Sequence, residues 1–166
     1  MSNWKDYKNT FDSSETIFSL ARSGHIQKLK NFLDSGHGVD INKKNHKGYS
    51  PLMLAVYNGN HEVSRMLLKS GADPNSSDLS GNTVLMGAAF KGDVEMVILL
   101  VNWGAKLDQR NHDGITAEQW AKAFGRSNVV SLLSTKANNS KFPNVFLAAK
   151  VLWGFLKPNF RKEATT

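Results

Sequence analysis

The sequence predicts an all-α solenoid of about four helix-turn-helix units with turn or hairpin tips, plus one extra helix at the C-terminus. Two observations carry that prediction. Gly48, Gly81 and Gly114 stand 33 residues apart; Gly59, Gly92 and Gly125 keep the same step, and Gly71 and Gly104 keep it again. Glycine serves where the backbone needs positive φ or close approach, so one turn geometry recurs at a fixed interval. A period of this length marks a supersecondary unit stacked on copies of itself. Between the glycines, apolar residues at helical spacing alternate with polar turn chemistry.

The units run over 13–45, 46–78, 79–111 and 112–134. In the second unit Gly48 opens a turn, and Ser50-Pro51 supplies an N-cap hydroxyl followed by proline at the first helical position, where its missing N–H is harmless. Leu52, Ala55 and Val56 share one face of a short helix that Gly59 ends. A second helix spans about 60–69, with Val63, Met66, Leu67 and Leu68 at helical spacing, and Ser70-Gly71 closes it. Ala72-Asp73-Pro74-Asn75 is turn chemistry leading into the third unit. In the first unit Asp40 and Asn42 lie 33 before Asp73 and Asn75, but Gly24 lies 35 before Gly59, so about two extra residues fall near 35–37.

The ends are less regular. Residues 1–12 form an N-terminal extension whose Trp4, Tyr7 and Phe11 either pack over the first unit or stay mobile. Residues 135–141 are polar and read as a linker; 142–157 read as an apolar helix in which Lys150, Gly154 and Lys157 share a narrow polar strip; 158–166 form a tail. The favoured role of that helix is a cap over Val129, Val130, Leu132 and Leu133, since a terminal unit exposes a face that interior units bury. The alternatives are a second partner-binding element and a membrane-surface helix, the latter disfavoured by the narrow polar face.

The units resemble the ankyrin repeat. Its T-P-L-H-x-A motif stands here as Ser50-Pro51-Leu52-Met53-Leu54-Ala55 and as Thr83-Val84-Leu85-Met86-Gly87-Ala88. Its G-A-D-x-N motif stands as Gly71-Ala72-Asp73-Pro74-Asn75, with Gly104-Ala105 in the next unit and Asp113-Gly114-Ile115-Thr116-Ala117 opening the fourth. The match covers roughly 13–134. The motif histidine is replaced by Met53, Met86 and Gln119, so the family's buried histidine–threonine hydrogen bond is not expected. Glu118 stands for the motif leucine in the last unit, which suits a wet terminal face.

Composition narrows the function classes. The 166 residues include no cysteine, which excludes disulfides, cysteine-based zinc sites and thiol nucleophiles. Residues 1–11 hold no apolar run of the signal-peptide kind. The longest nearly apolar stretch, 145–156, is shorter than the ~20 residues a membrane span needs. A cytoplasmic location is therefore expected, with export or the periplasm left open. The net charge of +7 divides as +3 over 1–47, −1 over 48–110 and +5 over 111–166. The central units are near neutral, and no continuous basic stripe with interleaved aromatics marks a nucleic-acid groove. Basic ends favour an acidic partner protein.

Sequence motifs for catalysis are missing: there is no G-x-S-x-G, no H-E-x-x-H and no phosphate-binding glycine loop. His46 and His112, at equivalent turn positions, read as polar tip contacts rather than metal ligands. No enzymatic activity, cofactor or metal is expected. In the family the turn tips and the outer face of each first helix form a concave surface that binds proteins. Carried over by position, the candidate partner-binding residues are Tyr49, Leu54, Tyr57, Leu79, Asn82, Phe90, Lys91, His112, Trp120 and Phe124. Large apolar residues dominate this set, as interface hot spots do, although aromatics at helical spacing also pack against one another. Trp103, after a second helix, reads as an outlying contact or a loop anchor, the anchor being favoured.

The resemblance thus implies a non-catalytic module that binds, and inhibits or regulates, one protein partner; an enzyme with an acidic surface is one candidate. The free chain is expected to be monomeric, with neither nucleic acid nor membrane as partner. The alternative is a secreted bacterial effector acting on a host protein.

Overall fold

The computed structural model describes residues 16–35 and 39–140, without the side chains of 138–140. Trp4, Tyr7, Phe11, the inserted residues 36–37 and the expected C-terminal helix and tail lie outside the described residues. Among those described there are eight helices and no strand, in four pairs. They are α1 (Ile17–Ser23) with α2 (Ile26–Asp34), α3 (Pro51–Tyr57) with α4 (His61–Lys69), α5 (Val84–Lys91) with α6 (Val94–Asn102), and α7 (Ala117–Ala123) with α8 (Ser127–Ser140).

The first helices pack in one row, α1 on α3, α3 on α5 and α5 on α7, and each second helix packs behind its own first helix. Leu52, Leu67, Leu85, Met96, Leu100, Val129 and Leu133 are buried between the rows, and Ala21, Ala55, Ala88 and Ala121 let the helices approach closely. This is the all-α solenoid expected. None of these helices is long and apolar enough to cross a membrane.

Each first helix starts the same way. Thr16, Ser50, Thr83 and Thr116 are extended N-caps whose hydroxyls accept from the backbone N–H three residues on. Where the motif histidine is missing, another atom takes its place at two of these starts. The Met86 sulfur accepts from Thr83 N at 3.3 Å, and Gln119 Oε1 accepts from Thr116 N at 2.9 Å.

The tips are built from Asn45, Asp78 and Asn111, each of whose Oδ1 accepts from the backbone N–H two and four residues on. A single β-bridge, Ser77 with Thr83, stands at the middle tip. Gly48 and Gly81 have φ of +78°, and a Cβ there would lie 2.7 Å from Leu79 N and 2.9 Å from the His112 ring. Glycine is required at both, because the next tip lies directly against them.

Side chains then tie one unit to the next. Asn42 accepts from Asp73 N at 2.8 Å and donates to Gly71 O at 3.2 Å; Asn75 repeats the clamp with Lys106 N and Gly104 O at the same distances. Asn60 Nδ2 donates to the Ala21 and Arg22 carbonyls closing α1, both at 2.9 Å.

One boundary is corrected. The polar stretch from Thr135, expected to be a linker, is helical as far as Ser140. Neither glycine nor proline occurs between Gly125 and Pro143, and Thr135 Oγ1 donates to Ser131 O at 2.8 Å within the helix. Polarity alone does not end a helix.

Candidate protein-binding face

The 33-residue step places equivalent residues of successive first helices side by side. Leu54, Gly87 and Trp120 share one register; Tyr57, Phe90 and Ala123 share the next; Asn58, Lys91 and Phe124 share a third. The result is a strip of aromatic rings crossing three units. Tyr57 and Phe90 lie parallel with ring centroids 6.3 Å apart. Phe90 meets the Trp120 edge at 6.0 Å and Phe124 at 4.6 Å, and Trp120 stacks on Phe124 at 5.5 Å. Such pairs prefer offset and edge-to-face geometries, so the strip holds its own shape before any partner arrives. Tyr57 remains 51% exposed and Phe124 45%. Lys91 Nζ stands 5.1 Å from the Tyr57 ring centroid, a cation–π distance.

Beside the strip a groove of about 310 Å³ opens over Gly87. Tyr57, Phe90 and Trp120 contribute its rings, Met53, Leu54 and Met86 further apolar lining, and Tyr49, Asp78 and Asn82 the end towards the tips. Six of the ten residues proposed from sequence line it: Tyr49, Leu54, Tyr57, Asn82, Phe90 and Trp120. Phe124 and Lys91 adjoin through the contacts above. Leu79 and His112 do not line it. They sit on the tips, Leu79 70% exposed and His112 exposed, with His112 N donating to Ser80 O at 3.0 Å.

Two expectations change. Leu54, read as an exposed helix position, is only 6% exposed, because α1 and α5 flank α3 on both sides. Trp103, read as a loop anchor, caps the end of α6 and is exposed. Sequence reasoning did not place Met53 or Met86 at the face, and it set Gly87 among the exposed helix positions without making it a binding residue. The signal for Gly87 was a glycine inside a helix, in the register that Leu54 and Trp120 fill.

Charge around the face is partly committed. The Asp78 carboxylate accepts from Ser80 N, Asn82 N and Asn82 Nδ2 at 2.9, 2.9 and 3.2 Å. Glu118 lies 2.7 Å from Lys122 Nζ, and that hydrogen bond, with a second from the Ser134 hydroxyl, holds its carboxyl below the usual glutamate value. Arg126 Nε donates to Phe90 O at 3.1 Å. Behind the face His61 Nε2 meets Asp93 at 2.8 Å, and Asp93 also caps α6 through Met96 N. No group of three or more histidines and acidic residues suited to a metal occurs among the described residues. Rings, thioethers and one amide around a groove are suited to taking an apolar side chain out of water.

A family model of ankyrin repeats in three copies matches residues 4–78 and 71–145. The chain belongs to the ankyrin-repeat family. Over 50 residues this ankyrin-repeat chain is 44% identical to the ankyrin repeat protein PA3287 of Pseudomonas aeruginosa, covering 30% of this chain and 28% of that one. An ankyrin repeat protein of Rickettsia bellii is 38% identical over 68 residues, 36% of this chain and 40% of its own length. The ankyrin repeat-containing protein ITN1 of Arabidopsis thaliana is 36% identical over 56 residues, 34% of this chain and 10% of its own. The matched region thus spans between a tenth and two-fifths of these curated relatives. Ankyrin repeats are generally protein-binding modules, typically without catalysis.

Proposed function

We propose that this ankyrin-repeat chain is a non-catalytic module that binds one protein partner across its first helices and tips, and so inhibits or regulates it. The observation that carries this reading is the aromatic strip of Tyr57, Phe90, Trp120 and Phe124 beside a groove. Contiguous apolar surface with aromatic anchors is what binding hot spots are made of. Tyr57 is half exposed and Phe90 half-buried, so their loss removes contact surface more than core.

The test is a pull-down with the full chain and with the Tyr57→Ala/Phe90→Ala variant, read by mass spectrometry and followed by titration with the captured protein. The expected result is one partner lost selectively from the variant, with affinity reduced by more than ~2 kcal/mol and little change in melting temperature. Equal capture by both forms, or a large drop in melting temperature, overturns the assignment. Assay of the partner with and without this chain then decides whether binding inhibits.

A further inference from the structure

We propose that the groove over Gly87 is an anchor pocket for one large apolar side chain carried by an acidic segment of the partner. This deepens the reading above and rests on it.

The first argument concerns what is missing. The register of Leu54 and Trp120 is filled on either side and empty at Gly87, where a Cβ would meet nothing within 4 Å. Gly87 is not among the positive-φ glycines, and it lies inside α5 rather than at its end. Neither the turn nor the packing of the stack therefore requires glycine there, and glycine inside a helix is unfavourable. What the glycine does provide is the space between three rings.

The second argument concerns size and lining. At about 310 Å³ the groove lies at the low end of the ~300–1,000 Å³ usual for ligand pockets, room enough for one bulky side chain and short for an extended ligand. The thioethers of Met53 and Met86 adjust to the shape of what enters.

The third argument is charge. Lys91 stands over Tyr57, the Arg126 guanidinium is held at the Phe90 carbonyl, and Arg22 occupies in the first unit the register of Tyr57. Against these three cations the groove itself is lined by Asp78, whose carboxylate already accepts three hydrogen bonds from its own turn. A leucine, phenylalanine or tryptophan flanked by aspartate or glutamate fits both the pocket and its edge, with the acids adding on-rate and register.

The experiment selects a phage-displayed random dodecapeptide library on the full chain and measures the resynthesised peptides by fluorescence anisotropy. The expected peptides carry one large apolar residue with neighbouring acids. They should bind at least about tenfold more weakly to Gly87→Leu, which fills the pocket, and to Arg22→Glu/Lys91→Glu, which reverses its edge. Circular dichroism melting checks that each variant is folded, and the charge variant keeps the test decisive should Gly87→Leu not fold. Peptides that ignore Gly87→Leu but are lost on Tyr57→Ala/Phe90→Ala overturn the pocket and leave the binding face standing. Selected peptides that are basic, or unaffected by the charge reversal, overturn the acidic partner. Peptides indifferent to every variant overturn both the pocket and the face.

Discussion

Two glycines in this chain sit in opposite physical situations, and alanine at each should move stability in opposite directions. Gly81 has φ of +78°, and its Cβ would meet His112 at 2.9 Å and Asn111 at 3.2 Å. Gly81→Ala should therefore destabilise by more than about 1 kcal/mol, from left-handed backbone strain and collision with the next tip. Gly87 lies in a helix with open space beyond it, and Gly87→Ala should stabilise by about 1 kcal/mol. Urea denaturation of both variants checks the pair; a stability loss at Gly87 would mean that the glycine serves the backbone rather than the groove. The sequence made Gly81 legible through its period, because a turn glycine recurs wherever the turn does. Gly87 has no such recurrence, since Leu54 and Trp120 fill its register, so its role appears only when the three helices stand side by side. Leu54 shows the same limit from the other side. Its position on the helix was readable, but its burial depends on α1 and α5 closing over α3.

At the level of the helix, the caps were legible and the extent of α8 was not. Thr83 and Thr116 announce helix starts by residue type alone. The return bonds from Met86 and Gln119 were not legible, because a thioether or an amide becomes a cap acceptor only when its rotamer folds back on the N-cap. Helix α8 continued beyond the expected boundary because it contains no breaker, and its packing on α7 includes a hydrogen bond from the Ser134 hydroxyl to Glu118 at 2.9 Å. That bond and the Lys122 hydrogen bond, the larger influence, lower the Glu118 pKa from its ordinary 4.5. A depressed carboxyl contributes stability that is present above its unfolded pKa and is lost as pH falls through its folded one. Glu118→Gln should accordingly flatten the acid limb of the stability curve below about pH 4.5. At neutral pH it should cost less than about 1 kcal/mol, because Lys122 is mostly solvent-exposed. Melting temperatures at pH 7 and pH 3.5 for both forms provide the check. Equal losses on acidification would show that the carboxylate is not coupled to the packing of α7 against α8.

For the stack as a whole, the main helix contacts run within a unit or between adjacent units, so the ends and the middle should respond differently to comparable damage. The clamps make this concrete: Asn42 joins the first unit to the second and Asn75 the second to the third, each reaching only the adjacent unit. Leu29, wholly buried in α2, serves the first unit. Leu85, equally buried in α5, belongs to a helix packed on both α3 and α7. Each change to alanine removes similar apolar contact, worth about 2–5 kcal/mol locally. Because stability in a solenoid is nearly a sum of unit and interface terms, Leu29→Ala should release α1 and α2 while the later units stay protected. Leu85→Ala should lower protection from α3 through α8, since two interfaces weaken together. Hydrogen exchange read by mass spectrometry resolves the two patterns peptide by peptide. If Leu29→Ala instead lowers protection uniformly, the four units unfold as one cooperative body. The first helices would then be coupled across the full row, and a partner seated on Tyr57, Phe90 and Trp120 would stabilise all four units at once rather than the three whose rings it touches.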